Sequence, residues 1–212
     1  QGVEYTGICV MNAVTGAVQQ ISNIIGQDPT WAPSGSQIVF SNGMLVAGEI
    51  QIIDLAGNLI RKVATGLLGN PRFPIFSPDG SKIIFTISSG LGLADGIYVI
   101  NADGTDLEKI YAGYVSGIKL VDNLPRIAAA DTHRIFTLPT NQGLVTSALD
   151  VLVDDLDVLR GGFALAPNGS AVIYGVQTGS GIQLRLKVHN GNVTMDVTNL
   201  SGTTSAQNPT WK

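Results

Sequence analysis

Phe73-Pro74-Ile75-Phe76-Ser77-Pro78-Asp79-Gly80-Ser81-Lys82-Ile83-Ile84-Phe85 is a stretch this chain writes more than once. Earlier stands Asp28-Pro29-Thr30-Trp31-Ala32-Pro33-Ser34-Gly35-Ser36-Gln37-Ile38-Val39-Phe40. Later stands Gly162-Phe163-Ala164-Leu165-Ala166-Pro167-Asn168-Gly169-Ser170-Ala171-Val172-Ile173-Tyr174, and the last residues hold Asn208-Pro209-Thr210-Trp211. A weaker copy, Gly117-Ile118-Lys119-Leu120-Val121-Asp122-Asn123-Leu124-Pro125-Arg126-Ile127-Ala128, fills the remaining gap. The anchors Trp31, Phe76, Leu120, Leu165 and Trp211 recur about every 45 residues. A unit of this size cannot bury its own apolar face, so it must stack on its neighbours.

One copy reads as four strands. Pro74-Ile75-Phe76 is a short apolar strand. In Pro78-Asp79-Gly80-Ser81, Pro presets φ, Asp bonds the local backbone and Gly accepts positive φ, which predicts a turn. Lys82 to Ile87 is β-branched and aromatic, the composition of a half-buried strand. After an irregular loop comes Ile97-Tyr98-Val99-Ile100-Asn101, then the Asp103-Gly104 hairpin signal, then the alternating Leu107-Glu108-Lys109-Ile110-Tyr111 of an outer strand. The same grammar covers the copies that begin at Trp31 and Leu165. No segment sustains a helical period; Leu149 to Leu159, with four Asp, reads as strand plus loop. Small repeated four-stranded sheets are the signature of a propeller.

Phe76-Ser77-Pro78-Asp79-Gly80-Ser81-Lys82-Ile83 and Ile97-Tyr98-Val99-Ile100-Asn101-Ala102-Asp103-Gly104-Thr105 resemble the TolB-type β-propeller repeat, and the resemblance runs over nearly the whole chain. It implies a non-catalytic interaction module of the kind found in periplasmic and secreted proteins and in larger enzymes. It supplies no partner-binding residues, because the shared motifs are turn and core positions. The family's usual propeller has six blades; the anchors here count five.

The expected fold is therefore all-β: a five-bladed β-propeller of four-stranded antiparallel blades, closed by pairing N- and C-terminal strands. Blades fall near residues 24–66, 70–113, 115–155 and 160–200 of a single domain over 1–212. Residues 1–23 and 207–212 make the closing blade: Tyr5–Asn12 reads as its third strand, Ala17–Ser22 as its outer strand, Trp211 as its inner anchor. That blade lacks a second strand. Three explanations stand side by side: a three-stranded blade, a strand lying outside this sequence, or a strand donated by a neighbouring molecule.

Composition narrows function. Hydrophobic residues make up 44% and charged residues 13%, which suits a large core and excludes disorder. With a net charge of −4 and only 12 Lys and Arg, phosphate-backbone binding lacks its electrostatic drive, and no nucleic acid partner is expected. No apolar run reaches the length of a membrane span, and no signal peptide is evident. Polar, Lys-poor composition fits a periplasmic or extracellular protein. The single Cys9 cannot form an internal disulfide and reads as a small buried hydrophobe.

Irregular loops gather on one face: Ser41 to Gly48, Ser88 to Gly96, Val176 to Gly181, and the connectors Thr65 to Asn70, Tyr111 to Gly117 and Leu152 to Gly162. Function concentrates on such loops. Met44, Leu45, Val46, Leu91 and Leu93 are apolar loop residues of adjacent blades and form the candidate docking patch for a protein partner or a further copy. Among Asp150, Asp154, Asp155 and Asp157, the last three are a weak calcium candidate, since oxygens at alternate positions suit Ca²⁺ but the EF-hand spacing is absent. His133 of Asp131-Thr132-His133-Arg134 and His189 fall on opposite faces in the repeat and should not meet as metal ligands. Gly90-Leu91-Gly92-Leu93 is no phosphate loop, because no helix start or Lys follows. Trp31 and Trp211 share one repeat position and are expected to be core anchors. The sequons at Asn168, Asn192 and Asn199 arise readily by chance in an Asn-, Ser- and Thr-rich chain. No catalytic residue and no cofactor is expected, and the inner strands carry no carboxylate cluster. A binding module leads; a small-molecule or carbohydrate-binding propeller is second, and a hydrolase third.

Overall fold

A computed structural model of the chain describes residues 7–42, 48–67, 69–89, 92, 94–121, 125–141, 143–145, 149–155, 159–167, 169–179, 181–188 and 193–198. The described residues are all-β, with no helix among them. They fall into two units, Gln1–Gly113 and Tyr114–Lys212.

The first unit holds a two-stranded sheet, β1 (Ile8–Met11) and β2 (Val18–Ser22). Two four-stranded sheets follow: β3 (Gln27–Trp31), β4 (Gln37–Asn42), β5 (Gly48–Asp54) and β6 (Leu59–Leu67), then β7 (Asn70–Phe76), β8 (Lys82–Ser88), β9 (Gly96–Asn101) and β10 (Glu108–Ala112). The second unit holds two more: β11 (Gly117–Leu120), β12 (Arg126–Ala130), β13 (Arg134–Pro139) and β14 (Asp150–Asp154), then β15 (Leu159–Leu165), β16 (Ala171–Thr178), β17 (Gly181–Val188) and β18 (Val193–Asp196). Each sheet is an antiparallel meander in chain order, so four four-stranded sheets of blade topology and one two-stranded sheet stand among the described residues where five blades were expected. The strands expected over Tyr5–Asn12 and Ala17–Ser22 are the paired β1 and β2. Tyr5 and Trp211, which carry the expected closure, lie outside the described residues.

The turn chemistry repeats at atomic detail. Gly35, Gly80 and Gly169 donate their N–H to Ala32 O, Ser77 O and Ala166 O at 2.9, 2.8 and 2.8 Å, with φ of 70, 73 and 68°. Ala32, Ser77 and Ala166 in turn donate to Gln37, Lys82 and Ala171 carbonyls. Only Gly takes that φ without a steric cost, which is why this position is Gly in all three copies. In the middle copy Asp79 tightens the turn: the Ser77 hydroxyl donates to its carboxylate at 2.6 Å, and the Ser81 N–H at 3.0 Å. These donors hold its pKa down, from the ordinary 3.8 to about 2.

Successive sheets stack by alternate side chains. Phe76 of β7 is buried among Ala32, Val39, Ile50 and Ile52 of the sheet before it. In the second unit Phe163, Val172 and Tyr174 pack on Ala128, Ala130 and Ile135. A fully buried Ile or Phe contributes about 1.5–3 kcal/mol relative to exposure, so these seams carry most of the fold's stabilisation. Two expectations need correcting. Trp31 occupies the position of Phe76 yet is 50% exposed against 4%, and it borders a small groove beside Ile8–Met11. Cys9 is half-buried rather than buried.

Candidate binding cleft

Three residues before Trp31, Phe76 and Leu165, the inner strands bend; before Leu120 the pairing runs unbroken. Asp28 and Phe73 have φ of 52 and 54°, and Gly162 has φ of 82°. At each place the pairing register slips: between Gln27 and Thr30, between Arg72 and Ile75, and between Leu159 and Phe163. These are β-bulges, in which extra residues on one strand kink it and leave one residue in the left-handed region. Ser41 Oγ donates to Gln27 O at 3.0 Å and Thr86 Oγ1 to Arg72 O at 3.3 Å, so two of the bulges are braced by the same side chain-to-carbonyl bond.

What the bulged residue carries differs between units. In the first, the Asp28 carboxylate reaches the next inner strand, accepting from Arg72 Nε at 2.6 Å, Arg72 Nη2 at 3.3 Å and the Phe73 N–H at 3.0 Å. The Arg72 guanidinium lies 4.9 Å from the centre of the Phe73 ring, and Thr30 Oγ1 donates to Pro74 O at 2.6 Å. Together these tie β3 to β7. In the second unit the matching positions are Gly117 and Gly162. Neither can reach across, and a cleft of about 280 Å³ opens between them. A Cβ built on Gly117 would meet no heavy atom within 4 Å.

Tyr114, Phe163 and Tyr174 supply aromatic wall, Ile135 and Leu159 aliphatic wall, and Ser116, Asp131 and Thr132 the polar rim. Tyr114 is 52% exposed. The start of β11, the β12–β13 turn and the start of β15 all border the cleft, which opens beside Tyr114–Gly117, Asp131–Thr132 and Leu159–Gly162. The rim is fixed by its own bonds. Leu159 N–H donates to Thr132 O at 2.7 Å and Asp155 N–H to His133 O at 2.9 Å, lacing the connector to the hairpin. Asp131 accepts from the His133 and Arg134 N–H groups and from the Arg134 guanidinium at 2.6 Å. Behind the wall, the Tyr174 hydroxyl donates to Asp155 Oδ2 at 2.9 Å, and Arg185 Nη1 donates to Asp155 Oδ1 at 2.7 Å. Burial, reinforced by that bond to the Asp155 carboxylate, pushes the Tyr174 hydroxyl far above its ordinary value, so it stays protonated.

Of the residues expected from sequence, Met44, Leu45, Val46, Leu91 and Leu93 all lie outside the described residues, as do Asp157 and His189. Asp155 is committed to Tyr174 and Arg185, and Asp154 is the exposed end of β14. Among the described residues no three His, Cys, Asp or Glu side chains gather as a metal site. His133 sits exposed in its hairpin. Tyr114, Ser116, Gly117, Leu159 and Gly162 lie in connectors the sequence marked as functional loops, and Asp131 and Thr132 in the polar cluster it named, but their meeting in one cleft was not read. The available signal was the pair Gly117 and Gly162, two glycines at the repeat position that Asp28 and Phe73 occupy elsewhere.

The chain was compared with known proteins. The family model for the TolB beta propeller domain matches residues 4–212. Similar solved structures include TolB from Acinetobacter baumannii, at 20% identity and TM-score 0.71, covering 94% of this chain and 50% of that one. A chain of a nidogen/laminin complex matches at 18% identity and TM-score 0.69, covering 90% of this chain and 70% of that one. Oligogalacturonate lyase from Vibrio parahaemolyticus matches at 15% identity and TM-score 0.63, covering 91% and 60%. The chain thus spans about half the length of the TolB it matches. No curated protein matches it by sequence. At these identities the structural likeness speaks for the fold.

Proposed function

Because this chain belongs to the TolB β-propeller domain family, we propose that it is a non-enzymatic interaction module that receives a protein partner at its loop face, with the cleft between Gly117 and Gly162 as the seat. The cleft carries the reading. It has the size of one or two large side chains, apolar walls with a half-exposed Tyr at the lip, and a rim held rigid by internal bonds. Its polar groups are engaged with one another: Asp131 with Arg134, Asp155 with Tyr174 and Arg185. That favours reception of a partner's anchor side chain over proton transfer or nucleophilic attack. A periplasmic or extracellular setting accompanies the proposal; among the described residues no helix is long and apolar enough to cross a membrane.

Selection from a displayed random-peptide library tests it. Gly117→Phe would fill the cleft from a strand position with open space, and Tyr114→Ala would remove the lip. Recovered peptides should share one aromatic or aliphatic anchor and lose about tenfold or more in affinity on either variant. Peptides that bind parent and both variants alike would sink the reading. Selective binding of small carbohydrates with no peptide recovered would move it to the ligand-binding alternative.

A further inference from the structure

The cleft beside Gly117 and Gly162 is polar where it is exposed and apolar where it is buried, and that gradient says what it accepts. Tyr114, Ser116 and Thr132 are its exposed side chains, each with a hydroxyl. Its buried side chains are Ala130, Ile135, Leu159, Phe163 and Tyr174. Among the described lining residues, this buried set holds one side-chain polar group, the Tyr174 hydroxyl. That hydroxyl donates to Asp155 Oδ2 at 2.9 Å, and Asp155 stands outside the lining. Arg185 Nη1 holds the other oxygen of the same carboxylate at 2.7 Å. The Tyr174 ring thus gives the wall its carbon and commits its proton elsewhere.

The polar groups nearer the mouth are committed too. The Ser116 hydroxyl donates to Ala130 O at 3.1 Å, and the Ser116 N–H to the same carbonyl at 2.8 Å. A carboxylate offers about four acceptor positions. Asp131 uses them on its own hairpin: the His133 and Arg134 N–H groups on Oδ1, Arg134 Nε and Nη2 on Oδ2. Its charge is matched by the same guanidinium. A hydroxyl or an ammonium carried to the buried end would give up its water and meet no side-chain partner there. We infer that the cleft selects an anchor with an apolar tip, the side chain of phenylalanine, leucine or methionine, and rejects tyrosine, lysine and the hydroxyl-bearing face of a sugar. This rests on the cleft being the seat of a partner's side chain, and narrows that side chain to one chemical class. Discrimination of this kind comes from the polar group left unpaired, not from lost contact area.

Two small probes read the tip directly: toluene, which is the phenylalanine side chain, and p-cresol, which is that of tyrosine. The backbone amide signals of Gly117 and Gly162 report binding in an NMR titration of the whole chain. Toluene should bind tighter than p-cresol by on the order of tenfold or more, and Gly117→Phe should abolish both responses at Gly162. Tyr174→Phe should leave the ratio unchanged, because the hydroxyl it removes is turned to Asp155. In a peptide recovered from the displayed library, exchanging a phenylalanine anchor for tyrosine should cost about tenfold as well. Equal affinity for the two probes, a Tyr174→Phe variant that loses the preference, or library peptides anchored on tyrosine or lysine would each overturn the inference and leave the cleft a binding seat. A toluene preference with no peptide recovered would uphold it and remove the protein partner. No response to either probe would overturn it, and the library alone would then decide the seat.

Discussion

Two pairs of successive inner strands, one in each unit and built from one repeat, do opposite things at one position. Between β3 and β7, Asp28 spans the gap and is gripped by Arg72 and the Phe73 amide. Across the matching gap in the other unit stand Gly117 and Gly162, and the space is open. The backbone kink is nearly common to both, since Asp28, Phe73 and Gly162 all have positive φ. β11 is the exception, since Gly117 pairs with Ala130 in an unbroken register; at the bent positions the difference lies in the side chains. A propeller-type repeat fixes where its strands bend; the residue at the bend decides whether the seam is tied or open.

Breaking the tied seam should have the largest effect. Asp28→Ala removes three hydrogen bonds, two of them from a guanidinium, and puts Ala at a φ it disfavours. We expect a loss of about 2 kcal/mol in urea unfolding, after discounting for an Arg72 that is about a third exposed. Asp28→Asn, which keeps the turn preference and the Phe73 bond, should cost about half as much. A loss under about 0.5 kcal/mol for Asp28→Ala would mean the seam is held by packing and the contrast is cosmetic.

The open seam can be probed through its two glycines. Gly162→Ala forces a Cβ onto a left-handed residue and should cost about 1 kcal/mol. Gly117→Ala meets nothing and should be neutral or stabilising by about 0.5 kcal/mol. Thermal melts of the two variants check this; equal effects would mean that Gly117 is under a constraint its surroundings do not reveal.

The smallest effect separates the turns. Asp79 is depressed to about 2 when folded, against 3.8 ordinarily, so its donors contribute stability that is fully present above pH 4 and fades as pH falls toward 2. The earlier copy has Ser34 in that place, and nothing there titrates. Asp79→Ser should therefore flatten the acid limb of a stability–pH curve and barely move the value at pH 7 beyond the lost hydrogen bonds. An unchanged acid limb would assign that limb to other carboxylates.

Much of this was legible before any coordinates. Gly35, Gly80 and Gly169 announced their turns, because a φ near 70° leaves few other choices. Asp103-Gly104 announced its hairpin, and the spacing of Phe76 and Leu165 announced the stacking. The bulges were hidden: Asp28 and Phe73 are driven into the left-handed region by bonds to each other across two strands, a cause that no local reading contains. The cleft was hidden because it is made by side chains that are missing, Gly where a bridge could stand. Trp31 misled for the converse reason: its position was read correctly, but burial depends on what lies opposite.

A bend held by the main chain frees its side chain from structural duty. The same elbow in the polypeptide serves as a clasp in Asp28, a shelf for the Arg72 guanidinium in Phe73 and a doorway in Gly162. Duplication of such a module hands each copy a spare variable, so one scaffold can acquire new mouths by single substitutions without redrawing its frame.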